Sequence, residues 1–316
     1  MPGIRSVPWM NPPRHLLAPL LAPRSLALVG ASPRAGSYGH GMIEAALSCG
    51  FEGALYRVNP RYDEIDGEPC YPSLQALPEV PEHAAIMLAN ERVEAAIDAA
   101  IAAGVKAVTL FASCYLEGDA QPPLLARVRR KAQQAGLHVC GGNGMGFYNR
   151  VHKVRCAMGD GPREEAGSVA LITQSGSIYS ALSSNDGRLR FNLTVSPGQE
   201  IATSAADYMD FALDLPGTRV IALFLETIRN PEAFIAAAEK AAARDIPIVA
   251  VKVARTEQSA RFAASHSGAI AGDDAAYDAV FERYGVLRCE DVDELFATCQ
   301  LLSQPWRVGS GGIAAI

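Results

Sequence analysis

Short apolar runs alternate with helical segments along most of the chain, and this alternation is the feature that most constrains the fold. The runs are apolar on both residue parities and are bounded by turn residues, which is typical of strands covered on both faces of a sheet. In the first half, the predicted strands are Ser25–Val29, Ala54–Val58, Ala84–Ala89, Ala107–Ala112 and His138–Cys140. In the second half, they are Ser168–Thr173, Asn192–Val195, Val220–Leu225, Ile246–Val253 and Val286–Cys289. The alternation predicts an α/β protein with two consecutive doubly wound parallel sheets.

The segments between the predicted strands carry signals for helix starts and stops. Asn90 is expected to cap a helix that Gly104 ends, because asparagine accepts hydrogen bonds from the first turn and glycine adopts left-handed backbone. Pro123 and Gly136 are expected to bound the next helix for related reasons. In the second half, Asn230 is expected to cap a helix over Glu232–Ala243.

Changes in composition along the chain predict five regions. Residues 1–22 contain five prolines and are expected to form an N-terminal arm, either wrapped on the first domain or loose. Residues 23–150 form the predicted Rossmann-like domain, and the polar stretch 151–166 is expected to be a linker. Residues 167–304 form the predicted flavodoxin-like domain. Residues 305–316 pass from glycine and serine to apolar residues, which predicts the start of a further domain and a longer protein.

Charge and cysteine usage exclude several classes of partner. The chain has 28 Lys and Arg against 34 Asp and Glu, a net charge of −6, so no basic field would attract nucleic acid or an anionic membrane. No apolar stretch has the length of a bilayer span or the form of a signal peptide. The seven cysteines never form a CxxC pair, which predicts reduced thiols in a cytoplasmic protein and no metal site. Anionic ligands must therefore be held by local loops.

The first predicted strand runs into a loop rich in glycine and serine, Gly30–Gly39, and then into a helix. Sheets of this kind bind nucleotides at that position. The glycine spacing departs from GxGxxG, and the second strand ends at Asn59 and Arg61 rather than at the acidic residue that holds the ribose of NAD. Arg61 is either a phosphate ligand or a solvated loop charge. The loop favours a phosphorylated adenosine such as coenzyme A (CoA).

Three polar stretches of the second half fit a phosphoryl-transfer site. Ser175–Gly176–Ser177 lies between a predicted strand and helix, where backbone N–H groups bind anions. Glu226 ends an apolar strand, and such a carboxylate can orient a histidine ring. His266, followed by Ser267 and Gly268, lies among small residues at a helix entrance, where imidazole can accept a phosphoryl group. The alternatives are an ordinary βα turn, a capping or paired acid, and a surface histidine.

Together these motifs resemble those of the NDP-forming acyl-CoA synthetases, the superfamily of the succinyl-CoA synthetase α subunit and the ADP-forming acetyl-CoA synthetases. The resemblance covers nearly everything from about Leu21 to Ser303. The matching stretches are Val29–Ser32 with Gly36 and Gly39, Val58–Asp63, Asn143 with Gly146 and Asn149, Gln174–Ser177, Leu225–Glu226 and Ser265–Ala269. Ordered motifs across two domains are more specific than any one of them.

The resemblance implies a CoA-binding domain followed by a domain with a phosphorylated histidine. By position, His266 would carry the phosphoryl group and Glu226 would hold its ring. Ser175–Gly176–Ser177 and Ser267–Gly268 would bind the phosphoryl group. The implied CoA ligands are Gly30, Ser32, Asn59, Arg61, Ser113 and Asn143. The implied reaction converts a carboxylic acid, CoA and NTP into acyl-CoA, NDP and phosphate through an acyl phosphate and phospho-His266.

One stretch departs from the family pattern. Gly142 and Gly144 stand where the family commonly has proline and cysteine or serine. The two glycines predict a looser turn between Cys140 and Gly146 and, with it, a different acyl pocket.

The ATP-grasp domain of this family, which binds ATP or GTP with Mg²⁺, has no counterpart in the sequence. The resemblance therefore implies that this domain lies further along the polypeptide or on a separate β subunit, and that a homo- or hetero-oligomer forms. Two other functions stay open: a CoA- or acyl-CoA-sensing regulatory module of a fused acyltransferase, and an NAD(P)-binding oxidoreductase. His266 with Glu226 favours the synthetase, and the absence of an acidic residue after the second strand disfavours the oxidoreductase.

Overall fold

Two seven-stranded sheets organise the residues that the computed structural model describes, which are 14–158, 165–185, 187–254 and 274–306. Helices cover both sheets, and most strands are parallel to their neighbours. The predicted α/β class, with a Rossmann-like domain before a flavodoxin-like domain, is confirmed.

The first sheet has the strand order of a Rossmann fold. Its strands are β1 (Ser25–Val29), β2 (Ala54–Val58), β3 (Glu64–Ile65), β4 (Glu68–Tyr71), β5 (His83–Ile86), β6 (Ala107–Leu110) and β7 (His138–Gly141). Its helices are α1 (Ala18–Leu21), α2 (Tyr38–Ser48), α3 (Asn90–Ala103) and α4 (Leu124–Ala135). The order is β3-β4-β2-β1-β5-β6-β7, and only the short β3 is antiparallel to its neighbour. The order reverses between β1 and β5, where sheets of this type open a ligand crevice.

The second sheet adds two antiparallel strands to a flavodoxin-like parallel core. Its strands are β8 (Gly146–Asn149), β9 (Val154–Ala157), β10 (Val169–Thr173), β11 (Phe191–Ser196), β12 (Val220–Leu225), β13 (Ile248–Lys252) and β14 (Val286–Cys289). Its helices are α5 (Gly176–Ser183), α6 (Ala205–Asp214), α7 (Pro231–Ala243), α8 (Asp274–Tyr284) and α9 (Val292–Leu302). The order is β14-β13-β12-β10-β11-β8-β9, with β8 antiparallel to β11 and to β9.

Strands β8 and β9 fall where the sequence predicts the end of the first domain and a linker over 151–166. Both strands are buried along their whole length and belong to the second sheet. The polar character of this stretch misled the prediction, because Arg155 is buried and its guanidinium lies 5.6 Å from the centre of the Tyr148 ring. The second sheet therefore begins at Gly146.

The described part of the N-terminal arm, residues 14–22, packs against both domains. Leu20 and Leu21 are fully buried in an apolar cluster that contains residues of both sheets. The side-chain amide of Asn149, at the end of β8, donates a hydrogen bond to the Leu21 carbonyl at 2.9 Å. His15 Nε2 lies 2.9 Å from a carboxylate oxygen of Asp210 on α6. Of the two arrangements that the sequence left open, this part of the arm takes the packed one.

Most of the predicted helix ends are confirmed. Helix α4 starts after Pro123 and ends at Gly136 with a φ of 62°, and the Asn230 side chain accepts a hydrogen bond from Ala233 N. The prediction that Asn90 caps α3 is wrong, since Asn90 is the first residue of that helix. Its side-chain oxygen instead accepts a hydrogen bond from Cys114 N at 2.9 Å and so ties α3 to the loop after β6.

The seven cysteines are buried free thiols that contribute to packing. Burial raises the pKa of the Cys114, Cys140 and Cys299 thiols to about 12, so these groups stay protonated at neutral pH. Across the described ranges, no cluster of three or more His, Cys, Asp or Glu residues could hold a metal ion. No helix within those ranges has the length and hydropathy to cross a membrane.

Candidate functional site

A cavity of about 740 Å³ opens at the carboxyl ends of β1 and β2, next to the point where the strand order reverses. Four of the predicted CoA ligands, Gly30, Ser32, Asn59 and Arg61, line it. The volume falls in the range of sites for cofactor-sized ligands. Ser113 and Asn143 are not among its lining residues.

The loop from β1 to α2 approaches the start of that helix so closely that side chains at Gly30 and Gly39 would not fit. Gly30 has a φ of 95°, and a Cβ there would lie 2.7 Å from the Met87 carbonyl oxygen. A Cβ on Gly39, in the first turn of α2, would lie 2.2 Å from the Gly30 carbonyl oxygen. Ser37 caps the helix by accepting a hydrogen bond from His40 N at 3.2 Å. The close approach brings the N-terminus of α2 to the cavity wall, a geometry that suits phosphate groups.

Asn59 mainly shapes this cavity wall. Its side-chain nitrogen donates to the Ala31 carbonyl at 2.7 Å, and its side-chain oxygen accepts from Arg61 N at 3.0 Å. The Arg61 side chain is exposed and lines the cavity together with Arg34 and Arg92, two cations that the sequence reasoning did not name. Three arginines thus line one cavity in a chain of net charge −6, and they supply the local positive charge that an anionic ligand needs.

Ser113 and Asn143 lie further along the same sheet edge, after β6 and β7. The Ser113 hydroxyl lies 3.1 Å from the side-chain nitrogen of Asn90, and Asn143 N donates to the Ala112 carbonyl at 3.0 Å. Asn143 has a φ of 54° and an exposed side chain. The two residues therefore neighbour each other at the end of the edge that faces the second domain.

The loop over residues 141–146 is closely packed, so the prediction of a looser turn is wrong. Gln199 N donates to the Gly142 carbonyl at 2.8 Å, and Met145 N donates to the Ser196 hydroxyl at 3.2 Å. A Cβ on Gly144 would lie 2.4 Å from the Ser196 carbonyl oxygen. The glycines allow the backbones of the two domains to approach each other here, which side chains would prevent.

The Ser175 turn, residues 173–177, starts helix α5 in the second domain. The Ser175 hydroxyl accepts a hydrogen bond from Ile178 N at 3.4 Å and lies 3.0 Å from the Ser177 hydroxyl. Thr173 Oγ1 accepts from Ser175 N at 3.1 Å. A Cβ on Gly176 would lie 3.2 Å from Met145 Cγ, so the start of α5 faces the 141–146 loop. The predicted phosphate-binding residues of this turn thus stand at a helix N-terminus near the joint between the domains.

The structure brings Glu226 to the Ser175 turn through the side chain of Gln174. Gln174 Oε1 accepts hydrogen bonds from Glu226 N at 2.7 Å and from Thr227 N at 3.0 Å. Gln174 Nε2 donates to the Thr227 carbonyl at 2.9 Å and to Glu200 Oε1 at 2.8 Å. Glu226 is half-buried at the end of β12, and β12 pairs with β10, which precedes the turn.

Two buried ionisable residues near Glu226 were missed from the sequence. Glu200 is 4% exposed, and burial raises the pKa of its carboxyl to about 7 against the lowering effects of Gln174 and Arg229. Lys252, at the end of β13, is 3% exposed, and its ammonium nitrogen lies 4.4 Å from the centre of the Tyr277 ring. Burial lowers the pKa of Lys252, and the charges of Asp274 and Glu226 oppose that shift. His266, Ser267 and Gly268 lie outside the described residues.

Comparisons with known protein families agree with this two-domain arrangement. Residues 24–150 match the CoA binding domain family, and residues 166–302 match the succinyl-CoA ligase like flavodoxin domain family. The chain therefore has the CoA-binding and succinyl-CoA-ligase-like domains that occur in the α part of NDP-forming acyl-CoA synthetases. The arginine-lined cavity lies in the first of these domains and the Ser175 turn in the second.

Similar proteins include ADP-forming acetate–CoA ligases. The chain is 29% identical over 295 residues to the acetate–CoA ligase (ADP-forming) I of Archaeoglobus fulgidus, with 92% of this chain and 42% of that protein covered. It is also 29% identical to the acetate–CoA ligase (ADP-forming) I subunit alpha of Pyrococcus furiosus, with 91% and 63% covered. A solved structure of the dinucleotide forming acetyl-coenzyme A synthetase 1 of Ca. Korarchaeum cryptofilum, in complex with phosphate and ADP, superposes with a TM-score of 0.83 at 33% identity, covering 91% and 62%. The chain thus spans less than two thirds of each of these relatives.

Proposed function

We propose that this synthetase-family chain binds CoA and carries the phosphohistidine of an NDP-forming acyl-CoA synthetase, in which it acts with an ATP-grasp domain or β subunit. The observation that carries the proposal is that Gln174 joins the start of α5 to the Glu226 loop, in the same chain as the arginine-lined cavity. An anion-binding helix end and a carboxylate that can orient a histidine are the two parts that a phosphohistidine site needs.

The proposed CoA site begins in the cavity of the first domain. Arg34, Arg61 and Arg92 would hold the phosphates, and the start of α2 with Gly30 and Ser32 would bind the remaining phosphate oxygens. From there the pantetheine arm would follow the carboxyl edge of the sheet towards Ser113 and Asn143. The thiol would then arrive at the joint between the domains, next to the 141–146 loop.

The proposed reaction passes a phosphoryl group to two acceptors in turn and then transfers the acyl group to CoA. In the synthetase direction, an imidazole nitrogen of His266 attacks the γ-phosphorus of NTP, and NDP leaves. The carboxylate of the acid then attacks the phosphorus of phospho-His266, which forms an acyl phosphate and returns the imidazole. The CoA thiolate finally attacks the acyl carbon, and inorganic phosphate leaves. Glu226 would accept the N–H of the ring and stabilise the phosphohistidine, while the first turn of α5 would bind the phosphoryl oxygens.

The partner and the nucleotide are proposed from the relatives. The Pyrococcus furiosus relative is an α subunit, and the Ca. Korarchaeum cryptofilum structure contains ADP and phosphate. We infer that ATP or GTP binds, with Mg²⁺, to the ATP-grasp part, and that the working enzyme is an oligomer. The buried free thiols favour a cytoplasmic location.

Labelling with γ-³²P-NTP tests the function. With the ATP-grasp partner present, the chain should acquire an acid-labile, base-stable label that His266→Ala removes and that acyl-CoA formation consumes. Label that persists in His266→Ala would refute the phosphohistidine. CoA binding without any labelling in the complete complex would favour the regulatory module, and NADH binding that CoA does not displace would favour the oxidoreductase.

Calorimetry with CoA and dephospho-CoA tests the first-domain site separately. We expect Arg61→Ala and Arg92→Ala each to weaken CoA binding by about 10-fold, the equivalent of about 1.5 kcal/mol for a charge-assisted hydrogen bond. Arg130→Ala, which removes a cation outside the lining of the cavity, is the control and should leave CoA binding unchanged. Equal affinities for CoA in all four proteins would contradict this placement of the site.

A further inference from the structure

The side chain of Gln174 connects the two parts of the proposed phosphohistidine site. We propose that Gln174 is a positioning residue, which fixes the Glu226 carboxylate relative to the Ser175 turn; this inference rests on the proposed function. Gln174 is the residue immediately before Ser175, and its side chain binds the backbone of residues 226 and 227. Movement of one part is thereby coupled to the other.

All four hydrogen-bonding positions of the Gln174 carboxamide are used. The oxygen accepts from Glu226 N and Thr227 N, and the nitrogen donates to the Thr227 carbonyl and to Glu200 Oε1, at distances of 2.7–3.0 Å. The residue is 8% exposed, so water does not compete strongly for these groups. A glutamine has two N–H donors and two oxygen lone pairs, and this one has a partner for each.

Gln174 is itself fixed in the sheet at the level where β12 ends. Its backbone N–H donates to the Phe224 carbonyl at 3.0 Å, which extends the pairing between β10 and β12 by one residue. On the other side of the Glu226 loop, Val253 N donates to the Leu225 carbonyl at 3.0 Å. Beyond Leu225 the two amides at 226 and 227 bind Gln174, so this side chain sets the path of the loop as it leaves the sheet.

The orientation of the Gln174 amide is determined by its acceptors. The Thr227 carbonyl can only accept, and Glu200 Oε1 already accepts a hydrogen bond from Ala205 N at 3.0 Å. A flipped amide would place its oxygen against both acceptors and its N–H groups against two donors. Glu200 therefore orients Gln174, and Gln174 in turn orients the backbone that carries Glu226.

Substitutions at Gln174 have a matched control within the same domain. Gln174→Met keeps the length of the side chain and removes its four hydrogen bonds. Asn185→Leu is the control, because Asn185 is 6% exposed and its amide binds the Leu182 and Leu189 carbonyls and Leu189 N beyond the end of α5. Both variants lose several buried hydrogen bonds, but only Gln174→Met frees the Glu226 loop.

The activity experiment uses the complex with the ATP-grasp partner. We expect Gln174→Met to slow phosphohistidine formation from labelled NTP by about 10–100-fold, as loss of a residue that orients a catalytic group does. Asn185→Leu should stay within about twofold of the wild type, and the KM for CoA should not change in either variant. In a Glu226→Ala background, Gln174→Met should have no further effect, because it acts through Glu226.

A second measurement follows the loop without requiring activity. Amide hydrogen exchange at Glu226 and Thr227 should be faster in Gln174→Met and unchanged in Asn185→Leu. The positioning role would be overturned if a folded Gln174→Met variant were labelled at the wild-type rate. It would also be overturned if Gln174→Met slowed labelling as much in the Glu226→Ala background as in the wild type, or if hydrogen exchange at both amides were unchanged. If the wild type is not labelled at all, the proposed function fails, and the exchange measurement still decides whether Gln174 holds the loop.

Discussion

Glu200 has a carboxyl group whose two oxygens lie in different surroundings. Oε1 accepts hydrogen bonds from Gln174 Nε2 and Ala205 N. Oε2 is buried, has no hydrogen-bond partner among the described residues, and lies 3.7 Å from Arg229 Nε. Burial therefore penalises the charged form and raises the pKa of this carboxyl from 4.5 to about 7, although Gln174 and Arg229 both favour ionisation.

The raised pKa of Glu200 predicts a stability that depends on pH. In the unfolded chain the carboxyl loses its proton near pH 4.5, whereas in the folded chain it keeps the proton up to about pH 7. Between these values the folded state binds more protons, so its free energy of unfolding falls as the pH rises, by at most about 3 kcal/mol. Glu200→Gln removes this titration. Urea unfolding of both proteins from pH 4.5 to 8 should therefore show that the free energy of unfolding of Glu200→Gln increases relative to that of the wild type as the pH rises.

The same titration provides its own internal check. Other ionisable groups contribute equally to the wild type and to Glu200→Gln, so the difference between the two curves isolates Glu200. That difference should change between pH 4.5 and about 7 and be constant above. A difference that stays the same over the whole range would contradict the raised pKa.

At the level of elements, helix α2 has two nearby glycines with opposite surroundings. A Cβ on Gly39 would lie 2.2 Å from the Gly30 carbonyl oxygen and 2.9 Å from Ser32 N, so it would displace the backbone of the cavity wall. A Cβ on Gly41 would meet no atom within 4 Å. Gly39 is therefore required by the close approach of the loop, and Gly41 is not.

This contrast predicts opposite effects on stability for the same chemical change. Gly41→Ala should raise the free energy of unfolding by about 0.5–1 kcal/mol, because alanine has the higher helix propensity. Gly39→Ala should lower it by about 1–3 kcal/mol, as overpacking does, and should also weaken CoA binding. Chemical denaturation and calorimetry on the two variants check this. Equal effects at the two positions would contradict the packing of the β1–α2 loop.

Asn90 connects the start of α3 to the loop that contains Ser113. Its oxygen accepts from Cys114 N, and its nitrogen lies 3.1 Å from the Ser113 hydroxyl. Asn90→Ala should cost about 1–3 kcal/mol of stability, since the partner groups are partly buried and lose their hydrogen bonds. If Ser113 binds CoA, the variant should also weaken CoA binding, whereas binding of adenosine diphosphate, which lacks the pantetheine arm, should not change. Loss of affinity for both ligands would place the effect in the cavity instead.

The regular elements were predictable where burial imposes a simple pattern. The ten predicted strands are confirmed to within three residues at each end, because strands of a covered parallel sheet are apolar on both parities. Strands β8 and β9 were not predicted, since each has four residues and Arg155 gives their stretch the composition of a linker. The sequence predicted that Asn90 caps a helix, because its actual hydrogen-bond partner, Cys114 N, lies far along the chain and leaves no local signal in the sequence.

The candidate site was predictable only in part for a related reason. The ends of parallel strands share one edge, so the positions of Gly30, Asn59 and Ser175 followed from the strand pattern. The pairing of Gln174 with Glu200 and with the Glu226 loop joins residues 26 and 52 positions apart, and no sequence period encodes such contacts. In the sequence, Lys252 has the pattern of an exposed polar residue at the end of a strand, and only the structure shows that it is buried.

At the scale of the whole molecule, one apolar cluster contains residues of both domains. The same cluster contains Leu20 of the arm, Met42 of α2, Phe147 of β8 and Met209 of α6. Hydrogen bonds add to the joint, among them the one from Val139 N to the Thr203 hydroxyl at 3.0 Å. A shared core of this kind holds the arginine-lined cavity and the Ser175 turn in a fixed relation, as the proposed reaction requires.

This shared core predicts that both sheets unfold in one cooperative transition. Leu20→Ala removes a fully buried side chain from the joint and should lower the free energy of unfolding by about 2–5 kcal/mol. Leu295→Ala is the control, because its apolar cluster contains second-domain residues only. If unfolding is cooperative, Leu295→Ala must reduce hydrogen-exchange protection in urea, and the reduction must be the same for peptides of β1 in the first sheet as for peptides of β12 in the second. Loss of protection in the second sheet alone would show that the domains unfold separately, and the joint would then be an interface rather than a common core.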